Sequence, residues 1–357
     1  MAERVEVPVS TPYPVVVGEA LDLAESLPEA LEPGSAVILT DSNVGPRHSG
    51  FVVDGLEAGG WNVLKVIEIP AGEPSKSLEV YGDVVGQLAD SGLTRDGTLF
   101  ALGGGVVGDL GGFAAATYMR GIFFVALPTT LLAMVDSSVG GKVGVDLPEG
   151  KNLVGAFLRP RTVVADLRML DTLPDRELSC GLAEVIKMGL LAGGSYFDYL
   201  GLIEAARSRD SGALRTLVLD SVRFKADVVA GDELEAGRRA ILNYGHTIGH
   251  ALEAAADYSL LHGEAIAAGM VAAAHLSRQK LGTDLVDLHR DLLQSAGLPA
   301  KAPAVDPGQI LDAMGRDKKR RSGDASHRFV LLEDVGRPVW GVPVTNEEAR
   351  QAIEAVI

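Results

Sequence analysis

Five short apolar runs in the first half of the chain, Ala36–Thr40, Asn62–Ile67, Thr98–Leu102, Phe123–Leu127 and Thr162–Asp166, constrain its fold most. Several lack the polar alternation of a strand with one wet face, which is how strands covered on both sides read. Helical stretches separate them, so this half is predicted to be an α/β sheet layered with helices. The opening Met1–Val7 alternates charge and valine like a first strand. Segment 143–160 is rich in glycine and proline without a clear period, and is predicted to be a loop lining a site. After Asp171–Glu177 apolar residues recur three and four apart almost to the end, which predicts a mostly helical second half. Thr172 reads as an N-cap and Pro174 as a first-turn residue, placing the boundary near residue 171. Two domains, 1–170 and 171–357, also suit a chain of 357 residues, beyond the size at which one core keeps growing.

Charge narrows the partners. A net charge of -16 and a pI near 4.9 repel polyanions, which argues against nucleic acid and anionic membrane surfaces. No run is long and apolar enough to span a bilayer, and the first residues lack the apolar core of a signal peptide. The lone Cys180 forbids an intrachain disulfide and makes a reducing cytoplasm the simplest setting. Its Ser-Cys-Gly context suits helix packing better than nucleophilic catalysis.

Three of only seven histidines crowd into Asn243–His250 and Leu261–Glu264. His246 and His250 stand four apart at a predicted helix start and share a face, while His262 opens another helix. With Glu184, His246 and His262 offer a divalent metal one carboxylate and two imidazoles, the donor set of an open, catalytic zinc site. A pair of histidines hydrogen-bonded in a helical core is the plainer alternative. The turn Gly103–Asp109 follows an apolar run, and Gly103, Gly105 and Gly108 have the spacing that lets backbone amides approach a pyrophosphate. A tight strand-to-helix turn would look the same. The acid expected some 20 residues downstream for a ribose is missing, since Arg120 stands there; Asp41 and Asn43, upstream, are the better candidates. Arg120, Lys142, Lys151 with Asn152, Lys187, Lys225, Arg239 and Lys318 sit near glycines, candidate ligands or a boundary. Any one alone reads as a solvated charge, but together they suggest a phosphate or carboxylate substrate.

Eight ordered motifs then resemble one family. They are Gly103–Asp109, Pro128–Leu132, Val135–Lys142, Gly150–Asn152, Gly181–Lys187, Asn243–His250, His262–Glu264 and Asp317–Lys319. Spread over nearly the whole chain, they are similar to those of the 3-dehydroquinate synthases, within the sugar-phosphate cyclases. The resemblance implies a Rossmann-like α/β N-terminal domain, an all-α C-terminal domain and an active site in the cleft between them. It implies zinc, with cobalt a possible substitute, on Glu184, His246 and His262. It implies NAD beside Asp41, Asn43, Glu73, Lys76 and Gly104, and beside Gly105, Asp109, Thr129, Thr130, Lys142 and Lys151. The family reaction turns 3-deoxy-D-arabino-heptulosonate 7-phosphate into 3-dehydroquinate and phosphate, a phosphorus–oxygen lyase step of the shikimate pathway. It runs by transient oxidation at C5, β-elimination of phosphate, re-reduction and aldol closure. By the same matching Arg120 (from a neighbouring subunit of a homodimer), Lys142, Asn152 and Lys318 would hold the phosphate. Lys187, Lys225, Arg239 and Asn243 would hold the carboxylate and hydroxyls, His250 would be the acid–base group, and Asp136 would orient substrate and lysines. A cyclase making an aminated or carbasugar product, a metal-dependent polyol dehydrogenase and an inactive NAD-binding sensor are the competing expectations.

Overall fold

The computed structural model describes residues 2–256, 259–299, 301–302, 305–319 and 326–357, the side chains of 316–319 excepted. They form two compact units, Met1–Leu173 with Lys225–Leu234, and Pro174–Phe224 with Glu235–Ile357. A boundary drawn near 171 would give Lys225–Leu234 to the second half. The helix Ser211–Gly231 instead carries the chain from one grouping into the other.

The first unit contains β1 (Glu3–Val7), β2 (Tyr13–Gly18), β3 (Ser35–Asp41), β4 (Asn62–Ile69), β5 (Thr98–Gly103), β6 (Phe123–Pro128), β7 (Lys142–Leu147), β8 (Gly150–Phe157) and β9 (Thr162–Asp166). Seven of them form one sheet in the order β1-β2-β9-β6-β5-β3-β4. Only the β1–β2 pairing in it is antiparallel. Every residue of β5 and β9 is buried, which is why those runs carry no polar alternation. Leu99, Phe100, Leu102 and Ile38 are wholly enclosed, each worth roughly 1.5–3 kcal/mol of transfer free energy. Trp61 meets Phe100 edge-on at 5.2 Å.

Segment 143–160 departs from expectation. It is largely the β7–β8 hairpin, with Gly144 facing Gly155 and Val145 facing Val154. A Cβ on Gly144 or Gly155 would collide with the opposing backbone, so the glycines permit the pairing. They also erase the alternation by which a strand is recognised. The helix Gly105–Thr117 lies beside this hairpin at Gly112, where a Cβ would strike Val143.

The second unit is helical, built on Asp175–Ala192, His246–Ala255, His262–Leu281, Val286–Ser295, Pro307–Lys319 and Asn346–Glu354. It carries one addition to the all-α expectation, the hairpin of β10 (His327–Asp334) and β11 (Arg337–Val344). This hairpin is fastened to the helix His262–Leu281 where Leu332 N–H donates to Ser277 Oγ at 3.0 Å. Thr172 is not the expected cap: the helix begins at Asp175 after Pro174. The Thr172 hydroxyl ends a short turn instead, donating to the Met169 carbonyl and meeting His48 Nε2 at 2.7 Å. Among the described residues no helix is long and apolar enough to cross a membrane.

Candidate active site

Glycines bring the metal candidates together. A Cβ on Gly269 would run into the Gly245 carbonyl, one on Gly249 would stand 2.6 Å from Ile266 Cδ1, and one on Gly263 would enter the Cys180 backbone. Three helices can therefore approach nearly backbone to backbone: Asp175–Ala192 with Glu184, His246–Ala255 with His246, and His262–Leu281 with His262. Gly245, at φ 78°, makes the left-handed turn before His246. The donor atoms of Glu184, His246 and His262 all lie within 4.8 Å of one another. Glu184 Oε1 stands 3.7 Å from His246 Nε2 and 3.6 Å from His262 Nε2.

The electrostatics suit a cation. Glu184 is wholly buried and ion-paired with the buried Lys187, yet neither carboxylate oxygen has an aligned hydrogen bond. Burial alone would raise its pKa, but Lys187 and the two imidazoles hold it well below the usual carboxylate range. Burial and then Lys187 push His246 well below an ordinary histidine, so it is neutral, and its Nδ1 donates to the Tyr244 carbonyl at 3.0 Å. That leaves the Nε2 lone pair for a metal. An anionic carboxylate short of partners and a neutral imidazole are the donors that a divalent ion such as zinc takes, and three protein donors leave coordination positions open. Burial opposes charge on His262, but the neighbouring carboxylates of Glu184 and Glu253 raise it to about 9. His250 is exposed, its ring 5.1 Å from that of His246 and 5.9 Å from that of His262.

In the first unit the glycine turn ends β5. The helix Gly105–Thr117 starts without a capping side chain, so its first N–H groups are available to a phosphate. β3 pairs with β5 with Leu39 opposite Ala101, so Asp41 ends its strand level with Gly103. This neighbouring strand carries an acid at the level of the glycine turn. Asp41 Oδ1 accepts from Asn43 N–H and Val44 N–H at 2.8 and 3.0 Å. Thr129 and Thr130 follow β6; Thr129 is buried with an unpartnered hydroxyl, and Thr130 caps Ala133 N–H. A Cβ on Gly104 would crowd Thr130, and one on Gly105 would crowd Ser137. Lys76 gathers further candidates, reaching Asp109 Oδ2 at 2.5 Å and Asn152 Oδ1 at 2.6 Å. Burial works against its charge, but Asp109 more than offsets this and its pKa is raised. Glu73 pairs with Lys151 at 3.1 Å. A wide π-type turn, Ala133–Ser137, presents Asp136, whose Oδ1 and carbonyl take Lys225 Nζ at 2.5 and 2.6 Å.

The whole chain matches known proteins. Residues 66–180 match the family described as 3-dehydroquinate synthase N-terminal, and residues 181–320 match 3-dehydroquinate synthase C-terminal. A curated 3-dehydroquinate synthase of Acidithiobacillus ferrooxidans is 46% identical over 355 residues, covering 96% of this chain and 95% of its own length. The chain belongs to the 3-dehydroquinate synthase family. Two solved structures of cyclases resemble this family member over almost every residue. A 2-deoxy-scyllo-inosose synthase complexed with carbaglucose-6-phosphate, NAD+ and Co2+ superposes with a TM-score of 0.91 at 29% identity, each chain covered completely. ValA, a 2-epi-5-epi-valiolone synthase of Streptomyces hygroscopicus with NAD+ and Zn2+ bound, gives 0.87 at 27%, with 99% of each chain covered.

Other candidates of this synthase-family chain stand on several elements. Arg120 is exposed in a left-handed conformation (φ 65°), and Lys142 is exposed at the start of β7. Arg239 is buried, and Asn243 Nδ2 donates to Glu235 Oε1 at 3.0 Å. The Lys318 side chain lies outside the described residues. Burial pushes the Cys180 thiol up to about 12, far from nucleophilic. The sequence did not single out Asp146, Glu235 or Glu253. Asp146 Oδ1 accepts from Asn152 N–H at 2.6 Å and so holds that residue at φ 56°. Each is an acid whose partner is fixed by packing, without a local spacing to betray it.

Proposed function

We propose that this chain is a 3-dehydroquinate synthase, converting 3-deoxy-D-arabino-heptulosonate 7-phosphate into 3-dehydroquinate and phosphate. The observation that carries the reading is the match to both halves of the family in a chain whose Glu184, His246 and His262 form an open donor set beside Lys187. When bound, NAD supplies a hydride acceptor and donor, and zinc or cobalt supplies a Lewis acid for the reacting hydroxyl. Glu184, His246 and His262 hold the metal. The bare first turn after Gly104 takes the pyrophosphate, while Asp41 and Asn43 take a ribose. Lys142, Arg120, Asn152 and Lys318 hold the leaving phosphate, and Lys76 keeps Asn152 in place. Lys187, Arg239 and Asn243 hold the carboxylate and hydroxyls, and Asp136 anchors Lys225. An imidazole nitrogen of the exposed His250 exchanges the hydroxyl proton.

A homodimer and a cytoplasmic setting belong to the same proposal, supported by the family resemblance and by the lone buried cysteine. A related cyclase with another sugar phosphate is the second reading, favoured by the 0.91 superposition on 2-deoxy-scyllo-inosose synthase. Purified protein given heptulosonate phosphate, NAD and zinc decides between them. Release of phosphate together with dehydroquinate supports the first reading, and a chain inert toward this substrate but active on a hexose phosphate supports the second.

A further inference from the structure

The donor geometry points to Glu253 as the positioning residue of the metal centre, an inference that rests on the metal reading of Glu184, His246 and His262. His262 turns Nε2 toward Glu184 Oε1, 3.6 Å away, so Nε2 is its metal-facing nitrogen. Its other nitrogen, Nδ1, lies 3.4 Å from Glu253 Oε1. Glu253 is only 2% exposed, an unusual place for a carboxylate without a task. It stands seven residues after His246 on the helix His246–Ala255, hence on the same face two turns along. The helix that provides one histidine ligand thus also holds the other ligand, which belongs to the next helix. The two imidazoles are anchored unequally, since His246 Nδ1 has a neutral carbonyl, that of Tyr244, and His262 Nδ1 has a carboxylate. A carboxylate there fixes the proton on Nδ1, orients the ring and makes Nε2 the stronger donor.

Glu253, His250 and His262 also form a second set of donors within 4.8 Å of one another. Using it together with the first would require both nitrogens of His262 to carry metal, with no proton left on the ring. The positioning role needs no such state.

The test compares wild type, Glu253→Gln and Glu253→Leu for zinc content, zinc affinity by competition with a chromophoric chelator, and the visible spectrum of the cobalt form. The expected result is one metal per chain throughout. Zinc affinity should fall roughly 10- to 100-fold in Glu253→Leu, with a shifted cobalt spectrum. Glu253→Gln, which keeps an oxygen facing Nδ1, should recover part of the loss. Nitrogen NMR of zinc-loaded wild type should find the His262 proton on Nδ1, a measurement that stands even if a variant does not fold. Equal zinc affinity in wild type and Glu253→Leu would overturn the inference, as would His262 bound through Nδ1. So would a second zinc equivalent lost with Glu253, which would make that residue a ligand. Undiminished zinc binding by Glu184→Ala would remove the metal reading and this inference together.

Discussion

His289 has no exposed surface; its Nδ1 donates to the Leu285 carbonyl at 2.7 Å and its Nε2 accepts from the Tyr244 hydroxyl at 2.8 Å. Burial lowers its pKa to about 4. Above pH 6.5 the folded and unfolded chains both carry it neutral, and its contribution to stability is complete. As pH falls from 6.5 toward 4 only the unfolded chain takes up the proton, so about 3 kcal/mol is lost by pH 4. His289→Gln should flatten the pH dependence of urea unfolding across that window, and identical slopes for variant and wild type would contradict the assignment. Lys142→Ala and Arg120→Ala should raise KM for the phosphate substrate roughly 10- to 100-fold while NAD affinity changes less, since a charge-assisted contact is worth about 1.5–3 kcal/mol. Unchanged kinetics for Arg120→Ala would make that arginine a surface charge. His246 and His262 stood out in the sequence because histidine is scarce here and because His246 stands four residues before His250, one helical turn. Glu253 and Asp146 did not, because an acid among 48 acidic residues announces nothing until its partner is placed.

At the scale of elements, glycine determines how closely the helices that carry Glu184, His246 and His262 approach. Gly269→Ala places a methyl group against the Gly245 carbonyl, where backbone and not a flexible side chain must yield. Overpacking of this kind costs typically 1–3 kcal/mol, so the variant should melt several degrees lower. It should also bind zinc more weakly, because His246 and His262 move with their helices. Wild-type zinc affinity in a well-folded Gly269→Ala protein would show that the close approach does not set the ligand geometry. Glycine equally explains where the sequence was hard to read. Strands β3, β5, β6 and β9 were recognisable from unbroken apolar runs, whereas β7 and β8 pair through Gly144 and Gly155, positions with no side chain to show a period. The π-type turn carrying Asp136 leaves no sequence signal at all.

For the molecule as a whole, the proposed reaction uses NAD without consuming it. The hydride removed from C5 must return before product leaves, so substrate deuterated at C5 should give product that retains the label. One phosphate should appear per turnover with NAD in only enzyme-like amounts, and chelator should stop the reaction. Stoichiometric growth of NADH absorbance without phosphate would identify a polyol dehydrogenase instead. A change of hydrophobic period near residue 171 carried the expectation of two domains, but nothing marked the allegiance of Lys225–Leu234, most of which continues the helix Ser211–Gly231 with the same period. That allegiance bears on how the chain is made. When Leu173 leaves the ribosome the first unit still lacks the segment that supplies Lys225 to Asp136, and about 60 more residues must follow before it is complete. At ordinary elongation rates this is a wait of roughly 3–12 s. Through it the nascent first unit holds Asp136 without its lysine, so the order of synthesis and the order of assembly cannot coincide.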